Sequence, residues 1–436
     1  MMRLCASTAE VSHVDRAQRE RIGRRTSLRG LRAVTRSQDR SVLLIVLVAL
    51  SAAIAWSSTA TGDYIAELRP AVEELLRGDI GAFLSQAPVY GPSVLPRVPF
   101  ILFADWLGTG ATGIYIAGAF ACRLVLAFLA WHLDGRLAAI GRDRLTRAVV
   151  IAVILIAPWL LRAARMGHPE ETMTGALCVL AILAALDGRT AWAGLALGLA
   201  VAFKPWALLA VGPVLCAATG DRWRLLLWAL GAAVVLELPF LIARPGGVQA
   251  TARATSETPF IFHPQQLFWF LHEHVRSPVS DAIGYRGPGF LRRWAHPLII
   301  VVGAAVSAAF ALRLRRRAVE PTDALALFAL LILLRSLLDP WNTIYYAVPA
   351  ILALATWEAL VKRGLPWRAM LLMALGHLSF VVLPDALRKD WQSLVYLAWM
   401  LPAVTLLALE TFGVRRREDR QTTISATEAR RSSAAT

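Results

Sequence analysis

The sequence predicts an all-α polytopic membrane protein with about twelve transmembrane helices, and three observations predict it. Of the 436 residues, 57% are hydrophobic and only 17% charged, with a mean hydropathy of +0.55, far from the balance of a soluble chain. The apolar residues are gathered into runs close to the ~20 residues that a helix needs to cross the hydrocarbon core, not into the alternation of strands. The basic residues, all but three of them arginine, fall in tails and short connections between those runs. The formal charge of +16 is therefore topology-setting charge, and no nucleic-acid partner is expected.

Each element follows in order. Residues 1–41 carry ten arginines and no helical stripe, so they read as a disordered basic cytoplasmic tail. The first apolar run begins at Val42, too deep and too long for a cleaved signal peptide, and reads as an uncleaved anchor. A transmembrane domain over 42–412 then contains spans at about 42–59, 112–133, 148–165, 171–186, 191–203, 205–219, 222–243, 297–312, 323–338, 343–361, 368–384 and 392–412, before a second disordered tail at 413–436. Residues 191–203 and 205–219 are short and meet at Pro205, where a helix has to break, so they form a bent or re-entrant pair.

Arginine-rich connections such as "DGRLAAIGRDRLTR", "GDRWR" and "RLRRRAVE" alternate with the spans. By the positive-inside bias they place both termini in the cytoplasm. Two long loops, about 60–111 and 244–296, fall outside; the first contains the apolar stretch 94–107, expected as an interfacial helix. Of the four cysteines, Cys5 is in the tail and Cys122, Cys178 and Cys216 lie within apolar segments, so neither a disulfide framework nor a cysteine zinc site is indicated.

With this topology the polar motifs outside the arginine-rich loops collect on one face. Asp63 follows the first span, and Glu67 at i+4 shares its helix face, so two carboxylates could address one substrate; helix capping or solvation explains them equally well. In "MGHPEE", Pro169 with Glu170 and Glu171 suits the first turn of a helix. His168 beside them exceeds capping: it handles protons or a metal, although too few convergent ligands are evident to assign one. No cofactor is expected, and a divalent ion stays open.

Lys204, one of three lysines, lies in "FKPW" between apolar runs, where a lysine pairs, snorkels or binds an anion such as phosphate. In "RSLLDPWNTIYY", Arg335 and Asp339 can pair along a helix ahead of Asn342, and "FHPQQLFWF" can lay its Phe, Trp and Leu on lipid with His263 and Gln265 turned to the cleft.

These motifs together resemble the GT-C superfamily of membrane glycosyltransferases: an Asp after the first span, a long first outer loop, the "GHPEE" turn, "KPWALLAVGPVL" and "LLDPWNTIYY". Within it the chain resembles the polyprenyl-phosphate-mannose-dependent mannosyltransferases of actinobacteria over about residues 42–412. The resemblance implies a hexosyl- or pentosyltransferase of cell-envelope biosynthesis. It would move a sugar, mannose by this resemblance, from a polyprenyl-phosphate donor to a lipid or glycan acceptor among membrane lipids. By position Asp63 matches the family's base, but the usual adjacent acidic pair is replaced by "GDY" with Glu67 one turn on, which leaves the base between two carboxylates. His168, Glu170, Glu171, Lys204, His263, Gln265, Arg335, Asp339 and Asn342 are then the candidates for donor phosphate and substrate. A transporter or flippase of a lipid-linked sugar is the competing expectation; it requires polar groups at mid-membrane in both halves, where this chain has few.

Overall fold

The computed structural model describes residues 39–59, 62–247, 261–276, 283–362 and 364–413. The expected tails, apart from their innermost residues, and the loop stretches 60–61 and 248–260 lie outside the described residues. The chain divides into two compact units, residues up to Leu50 and residues from Ser51 onward. The first contributes most of helix α1 (Asp39–Trp56); the rest of the architecture belongs to the second.

The second unit is helical, as the composition predicts. The first long loop carries α2 (Arg69–Leu76), α3 (Ile80–Gln86), a 3-10 turn over Gly91–Arg97 and α4 (Val98–Trp106). Then come α5 (Gly110–Ala139), α6 (Arg144–Ile156), α7 (Pro158–Arg165), α8 (Pro169–Leu186), α9 (Thr190–Phe203), α10 (Val211–Ala217) and α11 (Arg222–Ala243). A two-stranded antiparallel hairpin, β1 (Glu273–Arg276) and β2 (Ile283–Arg286), adds a strand element that the helical patterning does not announce. The chain closes with α12 (Gly289–Arg315), α13 (Ala324–Leu338), α14 (Val348–Val361), α15 (Trp367–His377) and α16 (Lys389–Thr411). Among the described residues ten helical segments are long and apolar enough to cross a membrane, and two shorter ones, Thr190–Phe203 and Pro205–Ala217, complete the expected twelve.

Local chemistry sets the boundaries. Asp79, Asp143 and Asp221 cap α3, α6 and α11 by accepting backbone N–H bonds. Proline opens α7 and α8, where the missing N–H is harmless. The span expected over 148–165 is in fact broken: Pro158 forces Ala157 out of the helical region, to φ −53°, ψ 133°, so α6 stops there and α7 starts afresh. The same rule leaves Lys204 extended ahead of Pro205, which confirms the bend expected there. The apolar stretch expected as one interfacial helix over 94–107 is likewise split, a 3-10 turn ahead of α4.

The layers follow from burial. The segments that contain α8, α13 and α14 are 78–83% buried and form the centre, whereas α11 and α12 are 11% and 22% buried although no less apolar. Such a helix turns its apolar surface to lipid, not to protein. Helices α9 and α11 touch through glycines: a Cβ on Gly194 or Gly198 would lie 2.5 Å and 2.3 Å from the carbonyl oxygens of Leu225 and Ala229. This packing leaves the breaks at Gly167 and Lys204, the turns before α4 and the end of α13 gathered at one end of the bundle, where their side chains meet.

Candidate active site

Three interruptions of the backbone deliver the charges. A wide helical turn, Tyr64–Leu68, carries Glu67 and follows directly on Asp63. Gly167, at φ +95°, takes a left-handed conformation closed to most residues and turns the chain from α7 into His168 and the first turn of α8, which holds Glu170 and Glu171. The extended Lys204 interrupts α9 and turns its ammonium back toward that same first turn.

Glu170 is the hub. Completely buried, it receives Arg97 Nη2 at 2.7 Å, His168 Nδ1 at 2.9 Å and Lys204 Nζ at 3.0 Å. Glu171, also buried, takes Lys204 at 3.1 Å and the Trp206 indole N–H at 2.8 Å. A buried carboxylate without such partners would cost several kcal/mol, so these ligands are a condition of folding. Burial and the Lys204 ammonium oppose protonation of His168, but the bonds to Asp63 and Glu170 win and raise its pKa to about 9. At neutral pH it is therefore an imidazolium, and its Nε2 faces Asp63 Oδ2 at 3.5 Å. Burial likewise opposes the charge on Lys204, yet Glu171 and Glu170 hold its pKa above the ordinary value.

The chain of charges ends at an opening. Asp63 keeps 47% of its side chain exposed, whereas the other members are nearly sealed. Glu67 accepts from the Tyr90 hydroxyl, and the Tyr90 ring lies 4.0 Å under Lys204, so both candidate bases border one corner.

A second group adjoins the first. Arg335 approaches Asp339 at 3.7 Å and stacks over Tyr346 at 3.9 Å and Trp206 at 5.4 Å, so Trp206 touches both groups. His296 reaches the same buried Asp339 at 3.5 Å. Burial would raise the Asp339 carboxyl, but His296 and Arg335 hold it below the ordinary value. Arg335 Nη1 is buried without a hydrogen-bond partner among the described residues. Gln265 and Asn342 lie in a neutral network: Asn342 donates to the Gln265 carbonyl at 2.6 Å and to the Tyr396 hydroxyl at 3.2 Å, and Gln265 donates to the Ser379 carbonyl at 2.9 Å. His263 lies by Lys389; burial and then that ammonium push its pKa down to about 4, so it is neutral and offers no charge to a phosphate.

The structure thus gathers Asp63, Glu67, His168, Glu170, Glu171 and Lys204 in one corner, sets Arg335 and Asp339 beside it, and leaves Gln265, Asn342 and His263 farther along. Lys204, expected as a cation open to phosphate, already has two carboxylate partners. Sequence reasoning missed Arg97, Tyr90, Trp206 and His296. Arg97 had a signal: like Lys204, it is a charge beside proline in an apolar stretch, "LPRVP". Among the described residues no three His, Cys, Asp or Glu side chains are grouped to hold a metal ion.

A helical bundle of membrane-crossing length, with an ion chain at one end that opens on Asp63 beside the exposed Glu67, defines an integral membrane protein equipped for acid–base chemistry. A family model, Glycosyltransferase family 87, matches residues 89–340, more than half of the 436, and the chain belongs to that family. It is a multi-pass membrane glycosyltransferase of the GT-C kind, which decides against the transporter expectation. No curated protein matches the chain. The matched segment contains Arg97, His168, Glu170, Glu171, Lys204, Arg335 and Asp339, but it begins after Asp63 and Glu67 and ends before Asn342.

Proposed function

We propose that the protein transfers mannose from a polyprenyl phosphate to a lipid or glycan acceptor at the outer face of the bacterial plasma membrane, with both termini cytoplasmic. Asp63 is the base. The acceptor hydroxyl attacks the anomeric carbon, its proton passes to the Asp63 carboxylate, and the bond from the anomeric carbon to the phosphate oxygen breaks with its electron pair on the phosphate. Direct displacement inverts the anomeric configuration. The observation that carries the assignment is the half-exposed carboxylate of Asp63 against the buried His168 imidazolium: Glu67 is exposed as well, but Asp63 is the one that faces His168. Glu67 has spent part of its hydrogen-bonding capacity on Tyr90 and serves as the alternative base.

The leaving phosphate needs a cation. Arg335 suits it best, because its Nη1 is unsatisfied and its guanidinium is fixed by stacking, while Lys204 holds Glu170 and Glu171 in place. A phosphomonoester carries less charge than a nucleotide diphosphate, so these side chains can meet it and the reading assigns no cofactor. The outer-face assignment is supported by the arginines of "GRDRLTR" and "RLRRR", which lie at the ends of α5 and α12 away from the ion chain.

The test uses purified protein in lipid nanodiscs with mannosyl-phosphoryl polyprenol as donor and extracted envelope glycolipids as acceptors. Inverted transfer of mannose is expected; transfer from a nucleotide sugar alone would refute the donor. For the face, single cysteines replacing the exposed Gly62 and Asp105 are expected to react with an impermeant thiol reagent in intact cells, and those replacing Arg144 and Arg316 are not. The reverse pattern would turn the site to the cytoplasm.

A further inference from the structure

Beyond residue 261 the chain leaves the site as an arm carrying a ladder of rings that the chemistry above does not use. Its base is bolted down. Besides the Gln265 and Asn342 bonds, Leu267 N–H donates to the Leu337 carbonyl at 2.9 Å and the Trp269 indole donates to Asp390 at 2.8 Å. Leu337 and Asn342 flank Asp339, so the arm is fixed to the segment that presents Arg335 and Asp339.

In the hairpin, His274 pairs with Tyr285, and cross-strand partners share a face. The period of two puts His272 on it as well. The rings meet accordingly: His272 and Tyr285 lie 4.6 Å and 4.9 Å from Trp269, and His274 lies 5.2 Å from Tyr285. Lys389, at the start of α16, sets its ammonium 3.9 Å over the Tyr285 ring. The ladder runs from Trp269, completely buried, to His274, exposed.

An isolated hairpin is marginal, and stacked rings help to hold it. Packing alone does not call for two imidazoles, a phenol and an ammonium at the open end, because each has to keep its polar atoms wet or bonded. That mixture of ring faces with N–H, O–H and cationic edges matches a ligand that is itself two-sided, with C–H groups on one face and hydroxyls around the rim. A hydrocarbon chain would strand the polar edges, and a bare phosphate would leave the rings unused.

We propose that His272, His274, Tyr285 and Lys389 form a binding platform for a pyranose ring of the acceptor, separate from the sugar being transferred. The inference rests on the glycosyltransferase reading and narrows the acceptor class: the acceptor is a glycan or glycolipid with at least one sugar beyond the residue that receives the new bond. The arm sets this second sugar at a constant offset from Asp339 and Arg335, and thereby selects which hydroxyl reaches the base.

Saturation-transfer NMR on the full chain in nanodiscs, with a methyl hexopyranoside and an α-linked mannotriose as probes, tests the platform. Contacts to the trisaccharide are expected in the wild type and in Asp63→Asn, and are expected to weaken about tenfold in His274→Ala and Lys389→Ala. His274 is exposed, so its truncation opens no core. In transfer assays the same two variants are expected to raise the acceptor KM about tenfold, with kcat and donor KM within a factor of two. Contacts that vanish in Asp63→Asn and persist in His274→Ala would place the sugar at the reaction site and overturn the platform. An unchanged acceptor KM in both variants, with transfer intact, would overturn it too while the catalytic reading stands. Loss of contacts in His274→Ala, in a protein that uses no polyprenyl-phosphate sugar, would support the platform and refute the donor assignment.

Discussion

Two ion clusters built on buried glutamates mark opposite ends of this bundle, and they expose different groups: a cation, Arg368, at one end and a carboxylate, Asp63, at the other. At the far end Glu358, on α14, accepts from Arg368 Nη1 at 2.9 Å and from the backbone N–H groups of Arg368 and Ala369 at 3.0 and 3.1 Å, while Arg368 also reaches Glu410 at 2.6 Å. That is a long-range cap on the first turn of α15: the carboxylate answers the orphan N–H groups and positive dipole of a helix start. At the near end Glu170 is ligated as fully, but by side chains from three separate segments, and its His168 partner hands a charge on to the half-exposed Asp63. Burial and charge alone therefore do not distinguish a site from a cap. An unfinished acceptor at the edge of a finished network does.

The sharpest way to break this comparison is Asp63→Asn, which keeps size and most hydrogen bonding but cannot take a proton. Turnover per folded molecule is expected to fall by about 10²–10⁴-fold, with donor binding near wild type and the thermal midpoint lowered only slightly, because His168 keeps Glu170 as its charged partner. Glu358→Gln, measured alongside, is expected to lower the midpoint and leave turnover intact. Equal turnover in the two variants would erase the distinction between the clusters.

Glu170→Gln comes next, because it strands Arg97, His168 and Lys204. Removing one partner of a buried pair costs about 3–5 kcal/mol, so poor yield and a lowered midpoint in detergent are expected. Glu170→Gln combined with Lys204→Met should regain part of that loss, since the pair is coupled; strictly additive losses would show that the two do not interact.

Somewhat smaller is the effect of pH. Folded His168 titrates near 9 against an ordinary 6.5. The stabilisation from its charged form is therefore complete below about pH 6.5 and is lost as pH rises through 9, by at most about 3.4 kcal/mol at 1.36 kcal/mol per pKa unit. Thermal midpoints recorded from pH 6 to pH 9.5 should fall over that window in the wild type and stay level in His168→Gln. A wild-type midpoint that is level too would mean that the imidazole is not charged.

Arg335→Gln is expected to weaken donor use by about 1.5–3 kcal/mol, the value of one charge-assisted contact, with acceptor KM unchanged. If Lys204→Gln, in protein that folds, lost donor affinity and Arg335→Gln did not, the phosphate role would pass to Lys204. Glu67→Gln should be the mildest, at roughly 1 kcal/mol for one hydrogen bond. A larger loss than that of Asp63→Asn would exchange the roles of the two carboxylates.

Much of the membrane architecture was legible in the chain. Twelve apolar segments, the bend at Pro205 and the opening of α8 at Pro169 follow from transfer energies and from what proline does to the residue before it, both properties of a few neighbouring residues. The break at Ala157 was open to the same reasoning, since Pro158 is plain to see, but the continuous apolar run outweighed it. The hairpin was not legible: four-residue strands with charged and imidazole side chains carry no hydrophobic alternation, and their pairing is decided by Trp269 and Lys389 from elsewhere.

The candidate site divides in the same way. Asp63, His168, Glu170, Glu171 and Lys204 could each be picked out because a charge beside an apolar segment is costly and needs a reason. Which charge answers which could not be read, because Arg97 and Glu170 stand 73 positions apart and Trp206 and Glu171 stand 35 apart. Their pairing depends on how α4, α8 and the turn after α9 pack. The sequence by itself therefore determined that this chain lives in a membrane and which polar groups it carries to the ends of its helices, since hydrophobicity and local backbone preference act over a few residues. Only the tertiary structure decided that Lys204 is spent on two glutamates while Asp63 is left open, because the energy of a buried charge is set by the neighbours that packing brings to it.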